Sequence, residues 1–130
     1  MIQRLDPKQT WEMLQNNPEA MLIDVRSAGE YAFVGHPHQA VLIPWKEAPD
    51  WTANPNFIQD VDGIVEDKNT PLVLMCRSGQ RSMQAAQALE AEGYTNLANM
   101  EEGFEGNLDD EKHRSTTNGW RFHQLPWRQS

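Results

Sequence analysis

A chain of 130 residues with 19 acidic against 11 basic side chains and a formal net charge of -8 fits one ordinary domain, and it repels polyanions over most of its surface. Nucleic acid and anionic membranes are thereby excluded as main partners, and no apolar run approaches the roughly 20 residues of a membrane-spanning helix. A single cysteine excludes an internal disulfide and a zinc site of several thiolates. The opening residues Met1 to Pro7 lack the basic start, apolar stretch and cleavage site of an export signal, so a cytoplasmic location is expected.

Asp6 and Pro7 read as a helix N-cap followed by proline at the first helical position, with Trp11, Met13 and Leu14 giving an apolar face up to about Asn16. Ala20 to Val25 is a brief apolar run without polar alternation, the pattern of a strand covered on both faces. Ser27 and Glu30 have capping-box spacing and predict a short helix through Tyr31 and Phe33, broken by Gly35 to Gln39. Ala40 to Ile43 is a second buried strand, closed by Pro44, and Pro55 to Val65 places Phe57, Ile58, Val61 and Val65 on one side of a helix.

Glu66 to Pro71 is a turn, and Leu72 to Met75 is the clearest strand of the chain. It runs directly into Cys76-Arg77-Ser78-Gly79, after which Met83, Ala85, Ala86 and Leu89 carry helical spacing to Glu92, with Gly93 placed as a C-cap glycine. Asn96 to Met100 completes an alternation of strands and helices that predicts an α/β fold with a mainly parallel sheet between helix layers. Beyond Glu101 the pattern weakens, yet Trp120, Phe122 and Trp127 predict a tail that packs back on the rest.

A strand, a tight glycine loop and a helix bring backbone N–H groups to a point at the helix N-terminus and favour negative charge there. Cys76 occupies that point with Arg77 and Arg81 nearby in sequence, an arrangement that favours an ionised, nucleophilic sulfur. A free cysteine is more commonly core filler, but the pattern C-x-x-G-x-R-[ST] constrains four positions and is rare by chance. His36 and His38 have no further ligand residues at metal-binding spacing, so neither a metal nor another cofactor is expected. Asp24 and Arg26 stand at a strand end, where parallel sheets meet their ligands, and both a catalytic and an ion-pairing reading are open.

Cys76-Arg77-Ser78-Gly79-Gln80-Arg81-Ser82 resembles the active-site loop of rhodanese domains. Asp24-Val25-Arg26, Glu30-Tyr31, Gly35-His36, Ala40 and Ile43-Pro44 resemble that family's first block, while Glu102-Gly103-Phe104, Gly119-Trp120 and Leu125-Pro126 resemble its end more weakly. Pro37 and Gln39 depart from the family's isoleucine and glycine, and residues 107–118 read as an insertion.

The resemblance implies a rhodanese-like three-layer α/β/α domain over residues 1–130, with an aromatic tail at 119–130, acting as a thiosulfate sulfurtransferase. In that reading Cys76 takes sulfane sulfur as a persulfide from a small anionic donor and passes it to cyanide, a thiol or a protein. Loop amides from Arg77 to Ser82, hence also Ser78, Gly79 and Gln80, would hold the persulfide, and Arg77 would attract the donor. Arg81 either contacts the donor or stiffens the loop by bonding carbonyls, and Ser82 reads as a helix-start hydroxyl. The resemblance makes Asp24 and Arg26 braces of neighbouring loops, while His36 and His38 read from their own position either as acid–base groups or as rim or loop-bracing residues. Phosphatases and arsenate reductases of the same fold have a loop one residue longer, wide enough for a tetrahedral group, whereas four residues separate Cys76 from Arg81 here. A binding module without chemistry is a further rival, against which the presence of Cys76 speaks, and within the favoured class a relay of sulfur between proteins through Cys76 is the alternative.

Overall fold

The computed structural model describes residues 1–129. In chain order they form β1 (Ile2–Leu5), α1 (Pro7–Asn16), β2 (Met21–Asp24), a π-helical turn (Glu30–Val34), β3 (His36–Pro37), β4 (Ala40–Leu42), β5 (Lys46–Glu47) and β6 (Thr52–Ala53). They continue with α2 (Phe57–Asp62), β7 (Leu72–Met75), α3 (Gln80–Ala91), β8 (Leu97–Met100) and β9 (Trp127–Arg128). The main sheet has the order β1-β8-β7-β2-β4 with every pairing parallel, while β3–β9 and β5–β6 are small antiparallel pairs.

Strand periodicity of two splits the apolar residues between two cores. Ile23, Leu72 and Leu74 point to one side, where Phe57 and Val61 of α2 and Ala85, Ala86 and Leu89 of α3 cover them. Leu22, Val73, Met75, Ala98 and Met100 point to the other, where Trp11 and Leu14 of α1 pack with Phe104 and Trp120. The layering is therefore the three-layer α/β/α arrangement that the alternating elements predict. At the start of α1 the Asp6 carboxylate accepts from Gln9 N at 2.8 Å and Gln9 Oε1 accepts from Asp6 N at 2.9 Å, a reciprocal cap that fixes where the helix begins.

The structure revises several boundaries. The edge strand β1 is absent from the sequence reading, and α2 stops at Asp62, before Val65. The Ser27–Glu30 cap forms, with Ser27 Oγ accepting from Glu30 N at 3.2 Å, but the turn it opens has π rather than α geometry. The tail packs back unevenly. Trp120 is fully buried and its indole N–H donates to Pro126 O at 2.9 Å, whereas Phe122 and Trp127 keep 41% and 39% exposure. Residues 107–118 fold on Asp109, whose carboxylate accepts from Glu111 N, His113 N and Thr116 Oγ. Among the described residues no helix is long and apolar enough to cross a membrane.

Candidate active site

All four residues of β7 are buried, so the strand end is rigidly placed when the chain leaves it at Cys76. Gly79 has φ +113°, a left-handed conformation that glycine adopts without a Cβ clash, and it turns the chain into α3. The loop is backed by a second segment. Phe104 N donates to Cys76 O at 2.9 Å and Glu105 N to Arg77 O at 3.1 Å. Gly103 is required for this approach, because a Cβ there would lie 2.4 Å from Arg77 C and O.

Cys76 is 1% exposed. Its Sγ accepts from Gly79 N at 3.1 Å and lies 3.3 Å from Ser82 Oγ. Where the sequence suggests several converging amides, Gly79 supplies the backbone hydrogen bond to sulfur among the described residues, and a side-chain hydroxyl supplements it. Ser82 also reaches Gly79 O at 3.2 Å, so it is both a helix-start hydroxyl and a neighbour of the sulfur.

Lys46, Trp51, Arg77 and Arg81 line a pocket of about 270 Å³ beside the loop. Among the described residues no carboxylate lies within ion-pair distance of Lys46 or Arg77, so the pocket is electropositive on a protein of net negative charge. Ser78, Gly79 and Gln80 line a different depression with Arg4, Asn99 and Glu101. Five of the six loop residues thus split between two faces, while Ser82 is fully buried. A further depression, about 610 Å³ among residues such as Pro18, Met21, Val65 and Thr70, sits at the start of β2 and before β7, whereas ligands of parallel sheets bind at the other strand ends.

Arg81 grips the Glu30 carboxylate through two hydrogen bonds of 2.7 and 2.9 Å and lies over the Trp51 ring. Its partner is thus a carboxylate, not the carbonyls considered from sequence. This hydrogen bonding outweighs burial and raises the Arg81 pKa. Burial pushes the Glu30 carboxyl up, but the Arg81 hydrogen bonds and charge, the Ser27 amide and the Arg26 charge together hold it at about 2. Because the folded value lies below the ordinary carboxyl value of 4.5, Glu30 contributes stability above about pH 4.5 that is lost as pH falls toward about 2. Glu30→Gln is expected to flatten that acid-side loss in thermal melts, and an unchanged acid slope would contradict the assignment.

Asp24 and Arg26 are both fully buried. Arg26 Nε donates to Asp24 Oδ1 at 2.9 Å and Nη2 to Asp24 Oδ2 and Gly35 O, each at 2.6 Å, while the guanidinium lies 4.6 Å from the centre of the Phe104 ring. The pair ties the end of β2 to the turn after the π helix and to the segment behind the cysteine loop. His36 is buried, with Nδ1 2.8 Å from Tyr31 O and its ring stacked on Tyr31, while His38 is exposed. Among the described residues no group of three or more His, Cys, Asp or Glu is placed to hold a metal ion.

Sequence reasoning missed Lys46, Trp51, Asn99 and the role of Glu30. Lys46 and Trp51 sit on the β5–β6 hairpin, and nothing local to them announces a pocket. Asn99 reaches Gly79 O only because β8 lies beside β7.

The lone cysteine stands between a parallel strand and a helix N-terminus, beside a pocket lined by Lys46, Arg77 and Arg81, in a three-layer α/β/α domain. The rhodanese-like domain model matches residues 6–110, and the chain belongs to the rhodanese-like family. The uncharacterized protein RC0915 of Rickettsia conorii is 33% identical over 132 residues, covering 97% of each chain. Thiosulfate sulfurtransferase GlpE of Haemophilus influenzae is 30% identical over 105 residues, covering 81% of this chain and 87% of its own. The crystal structure of Rv0390 from M. tuberculosis superposes with a TM-score of 0.87 at 41% identity, covering 98% of this chain and 97% of its own. The family match ends at residue 110, whereas the Rickettsia relative aligns along nearly the whole chain.

Proposed function

We propose that the domain, residues 1–130 as one unit, is a sulfurtransferase that carries sulfane sulfur on Cys76 from thiosulfate or a similar anionic donor to a thiophilic acceptor. The Cys76 thiolate attacks the outer sulfur of thiosulfate. The donor S–S bond breaks, sulfite leaves with the electron pair, and a Cys76 persulfide anion remains. A nucleophile such as cyanide or a thiolate then attacks the terminal sulfur and regenerates the thiolate, so no external oxidant or reductant is needed. Gly79 N–H and the Ser82 hydroxyl are the donors available to the anionic sulfur, while Arg77 and Lys46 attract the donor's charge. Arg81 positions the loop through Glu30, and Asp24, Arg26 and His36 brace it from behind.

The observation that carries this reading is the tight closure over sulfur, with Gly79 N 3.1 Å from Sγ at the start of a loop that has four residues between Cys76 and Arg81. Such a loop suits one added sulfur atom better than a tetrahedral phosphoryl or arsenate group. The family membership and the sulfurtransferase relative point the same way. Thiocyanate formation from thiosulfate and cyanide, without hydrolysis of an aryl phosphate, is the expected result. Aryl phosphate turnover with no thiocyanate would overturn the proposal.

A further inference from the structure

Asn99 lies on β8, 1% exposed, next to the cysteine loop. Its side-chain nitrogen donates to Gly79 O at 3.2 Å and to Glu101 Oε2 at 3.1 Å. A carbonyl and a carboxylate only accept, so they fix the amide orientation, and the Asn99 oxygen must face Ser82 Oγ, 2.5 Å away. That oxygen can only accept as well. Ser82 is therefore the donor at this contact.

A serine has one proton, and fully buried Ser82 has three acceptors around it: Asn99 Oδ1, Gly79 O at 3.2 Å and Cys76 Sγ at 3.3 Å. With the proton on Asn99, the hydroxyl turns its lone pairs toward sulfur. Gly79 N–H is then the donor left to the sulfur, and an anionic sulfur gains a second donor only if the hydroxyl turns to it.

We infer that Asn99 is a positioning residue that competes with the Cys76 sulfur for the Ser82 proton, so that the hydroxyl swings from Asn99 to sulfur as the sulfur becomes anionic. No covalent bond changes in the swing. The Ser82 proton stays on its oxygen, and the thiol proton leaves to solvent. The consequence for turnover rests on the sulfurtransferase reading, whereas ionisation of the resting thiol does not. Charged groups on the surrounding elements are Arg77 in the loop, Arg81 on α3, Asp24 and Arg26 at the end of β2, Glu30 on the π turn, Lys46 on β5 and Glu101 beyond Asn99. All of them are unchanged in the variants below.

The test is the rate of alkylation of Cys76 by iodoacetamide against pH, measured on the full chain without any sulfur donor. Asn99→Leu frees the hydroxyl for sulfur and is expected to move the midpoint down by about one pH unit, a tenfold gain in thiolate at fixed pH. Ser82→Ala is expected to move it up by a similar amount. In the Ser82→Ala background the effect of Asn99→Leu should vanish, which a merely structural role for Asn99 would not produce. Asn99→Ala serves the same purpose if the leucine variant does not fold. A midpoint that rises or stays fixed on removal of Asn99, or an Asn99 effect that persists without Ser82, overturns the inference. Failure of the wild type to take up sulfur while these midpoints move as stated would instead count against the sulfurtransferase reading alone.

Discussion

Cys76→Ser is expected to reduce thiocyanate formation to background, a fall on the order of 10^6 as for loss of a covalent nucleophile, while the protein stays folded. The hydroxyl is nearly isosteric with the thiol, and the two neighbours of the sulfur, Gly79 N–H and Ser82 Oγ, remain to satisfy it. The stability change should therefore be about 1 kcal/mol or less. A cysteine that merely filled the core would give the reverse: turnover retained and stability reduced. Thermal melts and thiocyanate assays on the same preparation separate the two outcomes.

Asp24→Ala carries the largest expected cost in stability, about 3–5 kcal/mol, because it leaves a fully buried guanidinium without its carboxylate. Among the described residues Arg26 Nη1 already has no hydrogen-bond partner, so they offer the guanidinium no spare acceptor. Replacing both members, Asp24→Leu with Arg26→Met, is expected to recover most of the loss, since the desolvated charge goes with its partner. Urea unfolding of the single and double variants measures the difference. A loss below about 1 kcal/mol for Asp24→Ala would show that the pair does not brace the loop as described.

The parts of this architecture that were legible in the sequence are those encoded within a few neighbouring residues. Leu72 to Met75 is apolar without alternation because both faces of β7 are covered, and Gly79 marks the turn because its φ is positive. Ser27 and Glu30 announce their cap by spacing alone. β1 was not legible, because Gln3 and Arg4 are exposed at the sheet edge and only pairing with β8 makes them a strand. The site shows the same division. Cys76 and its loop follow from strand, glycine and helix in succession, but the Arg81 partner lies 51 residues away on the π turn. Asn99 reaches the sulfur network only across the sheet, and Lys46 and Trp51 reach the pocket only through a hairpin whose residues look like ordinary surface.

The tail illustrates a further limit of local reading. The family match stops at residue 110, yet Trp120 fills the core beneath β7 and β8 and Arg121 N donates to Phe104 O. Its aromatic composition announced burial but not which ring would enter. Gly106 decides the matter in part, since a Cβ there would lie 2.1 Å from Asn118 O, and the close approach of these two segments delivers Trp120 inward.

In the proposed reaction Cys76 holds one transferable sulfur atom. Intact-mass measurement of the full chain after incubation with thiosulfate tests it most directly: the wild type should gain the mass of one sulfur atom, lose it again on adding cyanide, and Cys76→Ser should show no gain. A wild-type mass that stays unchanged with thiosulfate, or a gain that survives in Cys76→Ser, would contradict it.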